Sequence, residues 1–225
     1  MRDYADLTVV LDRSGSMHAC RQGTIDGFNK FLADQKAVPG EGCWTLVQFD
    51  DQYQIDYAQV DQRDVSPLSV ESYGPRGSTA LYDAICRTID DTGRRLAALP
   101  EYLRPNKVMV VIITDGYENT SRTFNKHHVN ERIAHQRDKY GWQFLFLGAN
   151  QDAIATATSL GMARSSALSW IDTSYGGTLC AYDDISKGVR HWKLDGNQSV
   201  ADLLTPADVK VDVAVKVDVA VKVGG

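Results

Sequence analysis

Two kinds of apolar pattern alternate along most of the chain. Short, almost continuously apolar segments occupy residues 6–11, 43–49, 107–114 and 142–147, with a shorter one at 167–170. Such segments are typical of strands buried on both faces of a parallel sheet. Between them, apolar residues recur every three or four positions, which predicts amphipathic helices at about 25–32, 79–99, 127–140, 154–160 and 178–192. The alternation predicts an α/β fold, Rossmann-like, with a mostly parallel central sheet and helices on both faces.

One strand of this sheet should run the other way. A second strand pattern near residues 53–57 follows the segment 43–49, and only residues 50–52 separate the two. A connection this short favours a hairpin. We therefore expect one antiparallel edge strand.

The last part of the chain has a different pattern. Residues 208–223 place valine at every odd position and Asp, Lys or Ala at every even one. A period of two is typical of a strand, and at about 3.3 Å per residue this one would reach on the order of 50 Å. We divide the chain into a domain over 1–195, a linker over 196–207 and a β-prone tail over 208–225.

The tail is complementary to a second copy of itself. If two copies paired antiparallel about Ala214, Lys210 would face Asp218 and the valines would form one apolar face. This favours self-association or addition to a partner's sheet. The alternatives are a disordered tail and a strand laid on the domain's own sheet edge.

Composition narrows the class of protein. With 225 residues, 43% hydrophobic and 24% charged, the chain has the content of one compact domain. The net charge of −5 and the lack of a dense Lys/Arg block argue against nucleic-acid binding. No apolar run approaches the roughly 20 residues that span a bilayer, and no secretory signal is visible, so we expect a cytoplasmic protein without a membrane partner. The four cysteines lack paired spacing, which favours reduced, mostly buried thiols.

Candidate chemistry begins where the first apolar segment ends. Asp12, Ser14 and Ser16 place one carboxylate and two hydroxyls in a turn after the strand. Mg²⁺ prefers oxygen donors of this kind, although short Ser/Gly turns are also common for purely structural reasons. Within the turn, we expect Arg13 to meet solvent or a partner and Met17 to pack in the core.

Two further segments extend the pattern. A glycine turn containing Thr79 opens a helix, and the segment 107–114 ends at Asp115. With all three segments, residues 5–195 resemble the von Willebrand factor type A (vWA) family, whose metal-ion-dependent adhesion site (MIDAS) is Asp-x-Ser-x-Ser followed by a distant Thr and a distant Asp. The matching residues, in order, are Asp12, Ser14, Ser16, Thr79 and Asp115.

The resemblance implies a metal-binding role for these residues. In the family, the two serines contact the metal, the threonine does so in the ligand-competent state, and the aspartates act directly or through water. The implied ion is Mg²⁺, or Mn²⁺ in its place. An acidic Asp or Glu of a protein partner then completes the coordination, which implies protein–protein interaction without catalysis. Intracellular relatives often serve with AAA+ ATPases or as scaffolds in assemblies, so such a partner is implied here.

Two other functions remain open at this point. One is a Mg²⁺-dependent phosphate-ester hydrolase with Asp12 as nucleophile. A phosphatase resembling the haloacid dehalogenases would usually carry a second Asp two residues later, where this chain has Ser14, so we expect no enzyme. The other is a self-assembly protein that works mainly through the valine tail.

Several further residues have an ordinary interpretation beside a functional one. Six residues either line the rim of the proposed site or are plain loop residues: Tyr73, Arg76, Tyr82, Tyr117, Glu118 and Asn119. Three residues share one helical face at a spacing that suits a transition metal, although a solvated face explains them better: His127, Glu131 and His135. The four tryptophans lie within apolar patterns and are expected in the core.

Overall fold

A computed structural model describes residues 4–149, 152–170 and 173–195. The strands are β1 (Tyr4–Asp12), β2 (Glu41–Phe49), β3 (Tyr53–Asp61), β4 (Lys107–Thr114), β5 (Gln143–Ala149) and β6 (Ala167–Trp170). The α-helices are α1 (Arg21–Lys36), α2 (Leu81–Ala98), α3 (Lys126–Tyr140), α4 (Ala153–Ser159) and α5 (Tyr175–Asp195). Each strand and helix predicted within the described residues is present. The predicted linker and tail, residues 196–225, lie outside them.

The strands form one sheet in the order β3-β2-β1-β4-β5-β6. Every neighbouring pair is parallel except β2 and β3, so the predicted antiparallel edge strand is confirmed. From β1 the chain turns to one side through β2 and β3, and then crosses to β4 on the other side of β1. In open α/β sheets, ligands bind at the carboxyl ends of strands where the order reverses in this way. Here that place is the edge of the sheet where the carboxyl ends of β1 and β4 meet.

Helices cover both faces of the sheet. Leu7, Val9 and Leu11 of β1 are fully buried in a core shared with α1 and α5. Val10 is buried in a second core with α2, α3 and α4. β1 is therefore buried on both faces, which explains its continuous apolar run. All four tryptophans are buried, as predicted: Trp44, Trp142, Trp170 and Trp192.

Glycine allows α1 and α5 to approach closely. A Cβ atom added at Gly27 would lie 2.5 Å from Cδ2 of the buried Tyr182, and one added at Gly23 would lie 2.8 Å from Cβ of Thr178. Real Cβ atoms do not come this near to their neighbours. The contact between the two helices therefore requires these glycines.

A lysine is buried near the end of α5. Lys193 Nζ donates hydrogen bonds to Gln62 Oε1 at 3.1 Å and to the Gln35 carbonyl at 3.5 Å. Burial lowers the pKa of the Lys193 ammonium to about 8. The last turn of α5 is thus attached to the edge of the sheet where β3 ends.

Two smaller predictions concern the thiols and the membrane. Three of the four cysteines are buried and Cys180 is exposed; all four are free, as expected. Within the described ranges, every helix is too short or too polar to cross a bilayer.

Candidate metal centre

The five residues of the proposed site come from three separate segments. Asp12 is the last residue of β1, and Ser14 and Ser16 follow it in the next turn. Thr79 lies just before α2, and Asp115 directly follows β4. Because β1 and β4 are parallel neighbours, with Leu11 opposite Ile113, their carboxyl ends meet at one edge of the sheet.

Hydrogen bonds connect the β1 and β4 segments. The Asp12 carboxylate is fully buried; its Oδ1 accepts from the Ser14 N–H and its Oδ2 from the Thr114 hydroxyl, both at 2.6 Å. Ser14 Oγ and Ser16 Oγ lie 3.1 Å apart, and Ser16 Oγ donates to Asp115 Oδ1 at 2.5 Å. Four of the five predicted residues therefore form one bonded cluster.

Thr79 reaches the same cluster at Gly116. A Cβ atom added to Gly116 would lie 3.1 Å from Thr79 Oγ1, 3.5 Å from Ser16 Oγ and 3.8 Å from Asp12 Oδ2. Three oxygens from two segments thus surround one point beside Gly116, which itself belongs to the third segment, directly after Asp115. The structure brings together all five residues that the sequence singled out.

The electrostatics of the cluster suit a cation. Burial raises the pKa of Asp12 to about 6, and the nearby Asp115 charge adds a smaller contribution in the same direction. Burial also raises the pKa of Asp115. Among the described residues, neither carboxylate forms an ion pair with a lysine or an arginine. Two carboxylates and three hydroxyls without a cationic side chain form an oxygen donor set suited to a divalent ion.

A transition-metal site has less support. In the part of the chain that the structure describes, no group of three His, Cys, Asp or Glu side chains is placed to hold a metal. His127, Glu131 and His135 are exposed on α3, and His127 Nε2 lies 3.4 Å from Glu131 Oε1. The solvated-face interpretation of these residues agrees with their exposure.

The expectation for Arg13 is wrong. Its side chain is 7% exposed and does not face solvent. Arg13 Nε donates to Asp50 Oδ2 at 3.1 Å, and its Nη1 donates to Gln54 Oε1 at 2.8 Å. The β2–β3 turn places the fully buried Asp50 beside the end of β1, where its carboxylate needs a cation. Met17 is fully buried, as expected.

The rim candidates divide by exposure. Tyr117 is 64% exposed beside Asp115 and is available to a partner. Tyr73 is fully buried, and its hydroxyl donates to the Asp12 carbonyl at 2.8 Å, so it supports the site from within. Sequence reasoning missed Thr114, which holds the Asp12 carboxylate. A hydroxyl at the carboxyl end of an otherwise apolar strand was the available signal.

No protein-family model matches the chain, and no curated protein matches it either. Solved structures do match. Proximal thread matrix protein 1 from the mussel byssus, solved with zinc in its MIDAS motif, has a TM-score of 0.57 at 14% identity. The match covers 82% of this chain and 47% of that one, so this chain spans less than half the length of the mussel protein.

Two bacterial structures also match this chain in fold at low sequence identity. The pilus adhesin SpaC from Lactobacillus rhamnosus GG, in its open conformation, has a TM-score of 0.60 at 14% identity, covering 83% of this chain and 30% of that one. The vWF domain of the type V pili tip protein Mfa5 from Porphyromonas gingivalis has a TM-score of 0.53 at 11% identity. The match covers 88% of this chain and 97% of that one. The fold is therefore the Rossmann-like vWA fold, as the sequence motifs indicated.

Proposed function

We propose that this protein is a divalent-metal-dependent interaction module that binds an acidic residue of a protein partner. The observation that carries the proposal is the convergence of three segments at Gly116, where oxygens of Thr79, Ser16 and Asp12 lie beside the residue that follows Asp115. The proposed metal-binding residues are Asp12, Ser14, Ser16, Thr79 and Asp115.

The chemistry of these side chains favours Mg²⁺, with Mn²⁺ as a substitute. Three of the five donors are neutral hydroxyls, so an ion bound there would supply positive charge that two carboxylates only partly offset. The chain's own role is to hold its donors in place. Asp12 is fixed by the Ser14 N–H and the Thr114 hydroxyl, and Asp115 by the Ser16 hydroxyl.

Interaction is a better proposal than hydrolysis. Hydrolysis through a nucleophilic carboxylate also needs a general acid that protonates the leaving group. Ser14 stands where a phosphatase of the compared type would carry its second Asp. We therefore propose a binding role without catalysis.

The surface beside the site suits a carboxylate-bearing protein. Tyr117 is exposed two positions after Asp115, and the Arg76 side chain, in the connection between β3 and α2, is 56% exposed although its Nε pairs with Asp50 at 2.8 Å. An aromatic ring and a guanidinium are common anchors in protein interfaces. We propose that the partner presents Asp or Glu to the metal. An AAA+ ATPase or another assembly component is the partner class that the family resemblance favours.

Calorimetric titration tests metal binding. We expect Mg²⁺ and Mn²⁺ to bind metal-stripped protein at one saturable site. An Asp12→Ala, Ser14→Ala double variant that keeps its circular dichroism spectrum should lose this binding. Equal binding by the folded variant would contradict the proposed site.

A small carboxylate tests ligand recognition without a known partner. The relaxation of water protons reports water molecules bound to Mn²⁺. Acetate added to the Mn²⁺-loaded protein should displace such water and lower the relaxation enhancement, whereas the neutral isostere acetamide should not. Equal effects of acetate, acetamide and sodium chloride would contradict carboxylate recognition at the metal.

A second candidate function rests on the tail pattern. We propose that residues 208–223 associate with the same segment of another copy, because antiparallel pairing opposes lysine to aspartate. Deletion of residues 208–225 should reduce the particle size measured by light scattering. Replacing Lys210 and Lys216 with Asp should have the same effect, since these residues would then face Asp218 and Asp212. Unchanged particle size in both variants would contradict self-association.

A further inference from the structure

Helix α2 begins without a cap of its own. Its N-cap residue is Ala80, whose methyl group cannot accept a hydrogen bond. Side chains from the loop after β4 take this role instead. Glu118 Oε2 accepts from the Tyr82 N–H at 2.9 Å, and Ser121 Oγ accepts from the Asp83 N–H at 3.0 Å. The start of α2 is therefore fastened to a loop about 36 residues further along the chain.

The same loop bonds the residue that supplies the threonine hydroxyl. Asn119 Oδ1 accepts from the Thr79 N–H at 2.9 Å, and the Asn119 N–H donates to the Thr79 carbonyl at 3.1 Å. Asn119 thus bonds both peptide groups that flank the Thr79 side chain, and the Ala80 N–H of the second also donates to the Asp50 carbonyl at 2.9 Å. Asn119 lies four positions after Asp115, so it joins the Thr79 segment to the Asp115 segment.

The attachment matters because Thr79 ends a long irregular connection. Residues 62–80 join β3 to α2 without a strand or an α-helix. A side chain at the end of such a connection has many accessible positions unless hydrogen bonds fix its backbone. Thr79 Oγ1 would lie 3.1 Å from a Cβ atom at Gly116, so small shifts of its backbone alter the cluster directly.

We propose that Asn119 is a positioning residue of the metal site, which holds the Thr79 hydroxyl beside Asp115. The inference rests on the proposed metal-binding function. Asn119 would link the Thr79 segment to the Asp115 segment, so that the two donors keep a fixed distance from each other. Residues that orient metal ligands commonly affect affinity although they do not touch the ion.

The test combines Asn119→Ala with Thr79→Ala. Asn119→Ala should weaken Mg²⁺ binding about fivefold, the effect of one ordinary hydrogen bond. In the Thr79→Ala background, the same change should have no further effect, because the hydroxyl it positions is already absent. Calorimetric titration of Mg²⁺ into all four metal-stripped proteins measures this cycle.

The chain offers a matched control at Asn29. Its Oδ1 accepts from the Leu68 N–H at 2.7 Å and its Nδ2 donates to the Leu68 carbonyl at 2.9 Å, within the same connection but away from the site. Asn29→Ala should lower stability and leave Mg²⁺ affinity unchanged. Hydrogen exchange of the Thr79 amide in the metal-free protein should be faster in Asn119→Ala and unchanged in Asn29→Ala.

The outcomes separate this inference from the function on which it rests. If the unmodified protein binds no Mg²⁺, both fall. If it binds Mg²⁺ and Asn119→Ala binds equally tightly, with slow exchange at Thr79 retained, only the positioning role falls. Additive losses in the cycle would also overturn it, because Asn119 would then act independently of the Thr79 hydroxyl.

Discussion

Gly116→Ala adds a methyl group at the point where the proposed donors meet. Gly116 does not have a positive φ, so alanine fits its backbone conformation. The new Cβ would lie 3.1 Å from Thr79 Oγ1, a few tenths of an ångström closer than an ordinary contact. It would lie at ordinary contact distance from Ser16 Oγ and Asp12 Oδ2, at 3.5 and 3.8 Å.

These distances separate the effect on folding from the effect on metal binding. Moving Thr79 aside should cost about 1 kcal/mol, the lower end of the range for overpacking. Alanine also lowers the conformational entropy of the unfolded chain, which stabilises the folded protein by about 0.4–1 kcal/mol. The free energy of unfolding should therefore change by less than about 1 kcal/mol. Mg²⁺ affinity should fall at least about tenfold, as for other changes next to metal ligands.

Urea denaturation of the metal-free protein and calorimetric titration with Mg²⁺ measure the two effects. Gly74→Ala is the matched control, because a Cβ atom there would meet nothing within 4 Å and its φ is not positive. We expect the control to bind Mg²⁺ like the unmodified protein. The reasoning is refuted if Gly116→Ala folds normally and also binds Mg²⁺ with unchanged affinity.

Three further predictions concern stability. Lys193→Met removes an ammonium whose pKa is about 8 when folded and about 10.5 when unfolded; between these values the unfolded chain binds more protons at this residue. The unfolding free energy of the unmodified protein, relative to that of the variant, should therefore rise by about 3 kcal/mol from pH 8 to 10.5. If urea denaturation gives the same difference between the two proteins at both pH values, this reasoning is contradicted. Gly27→Ala should destabilise the protein by about 1–3 kcal/mol, because its Cβ would press on the Tyr182 ring; an unchanged melting temperature would be evidence against the close helix contact. Arg13→Ala should cost about 1.5–3 kcal/mol, the range for a hydrogen bond to a charged group, because the buried Asp50 keeps only the half-exposed Arg76 as a cationic partner. A loss below about 1 kcal/mol in urea denaturation would mean that the Arg13–Asp50 pair is not important.

Much of the fold could be predicted because its strands carry a strong local signal. The apolar segment 107–114 coincides with β4, and 167–170 coincides with β6. The candidate site could be predicted as well, because Asp12 and Asp115 both mark carboxyl ends of such segments. In a parallel sheet these ends meet on one edge.

The surroundings of the site depend on contacts that no local pattern records. Arg13 is buried because Asp50, 37 positions away, lies beside it. The N-cap position of α2 is Ala80, which offers no capping side chain, and Glu118 from a distant loop provides an acceptor instead. Both pairings arise only when separate segments fold onto each other, so the sequence pattern could not predict them.

Anomalous scattering from a crystal grown with Mn²⁺ would locate the ion itself. We expect one strong peak at the carboxyl ends of β1 and β4, coordinated by the hydroxyls of Ser14 and Ser16, with Asp12 and Asp115 close by. The crystal must be grown at a Mn²⁺ concentration that saturates the protein in solution. If such a crystal shows no anomalous peak at this position, or shows its peak elsewhere, the proposed metal centre is contradicted.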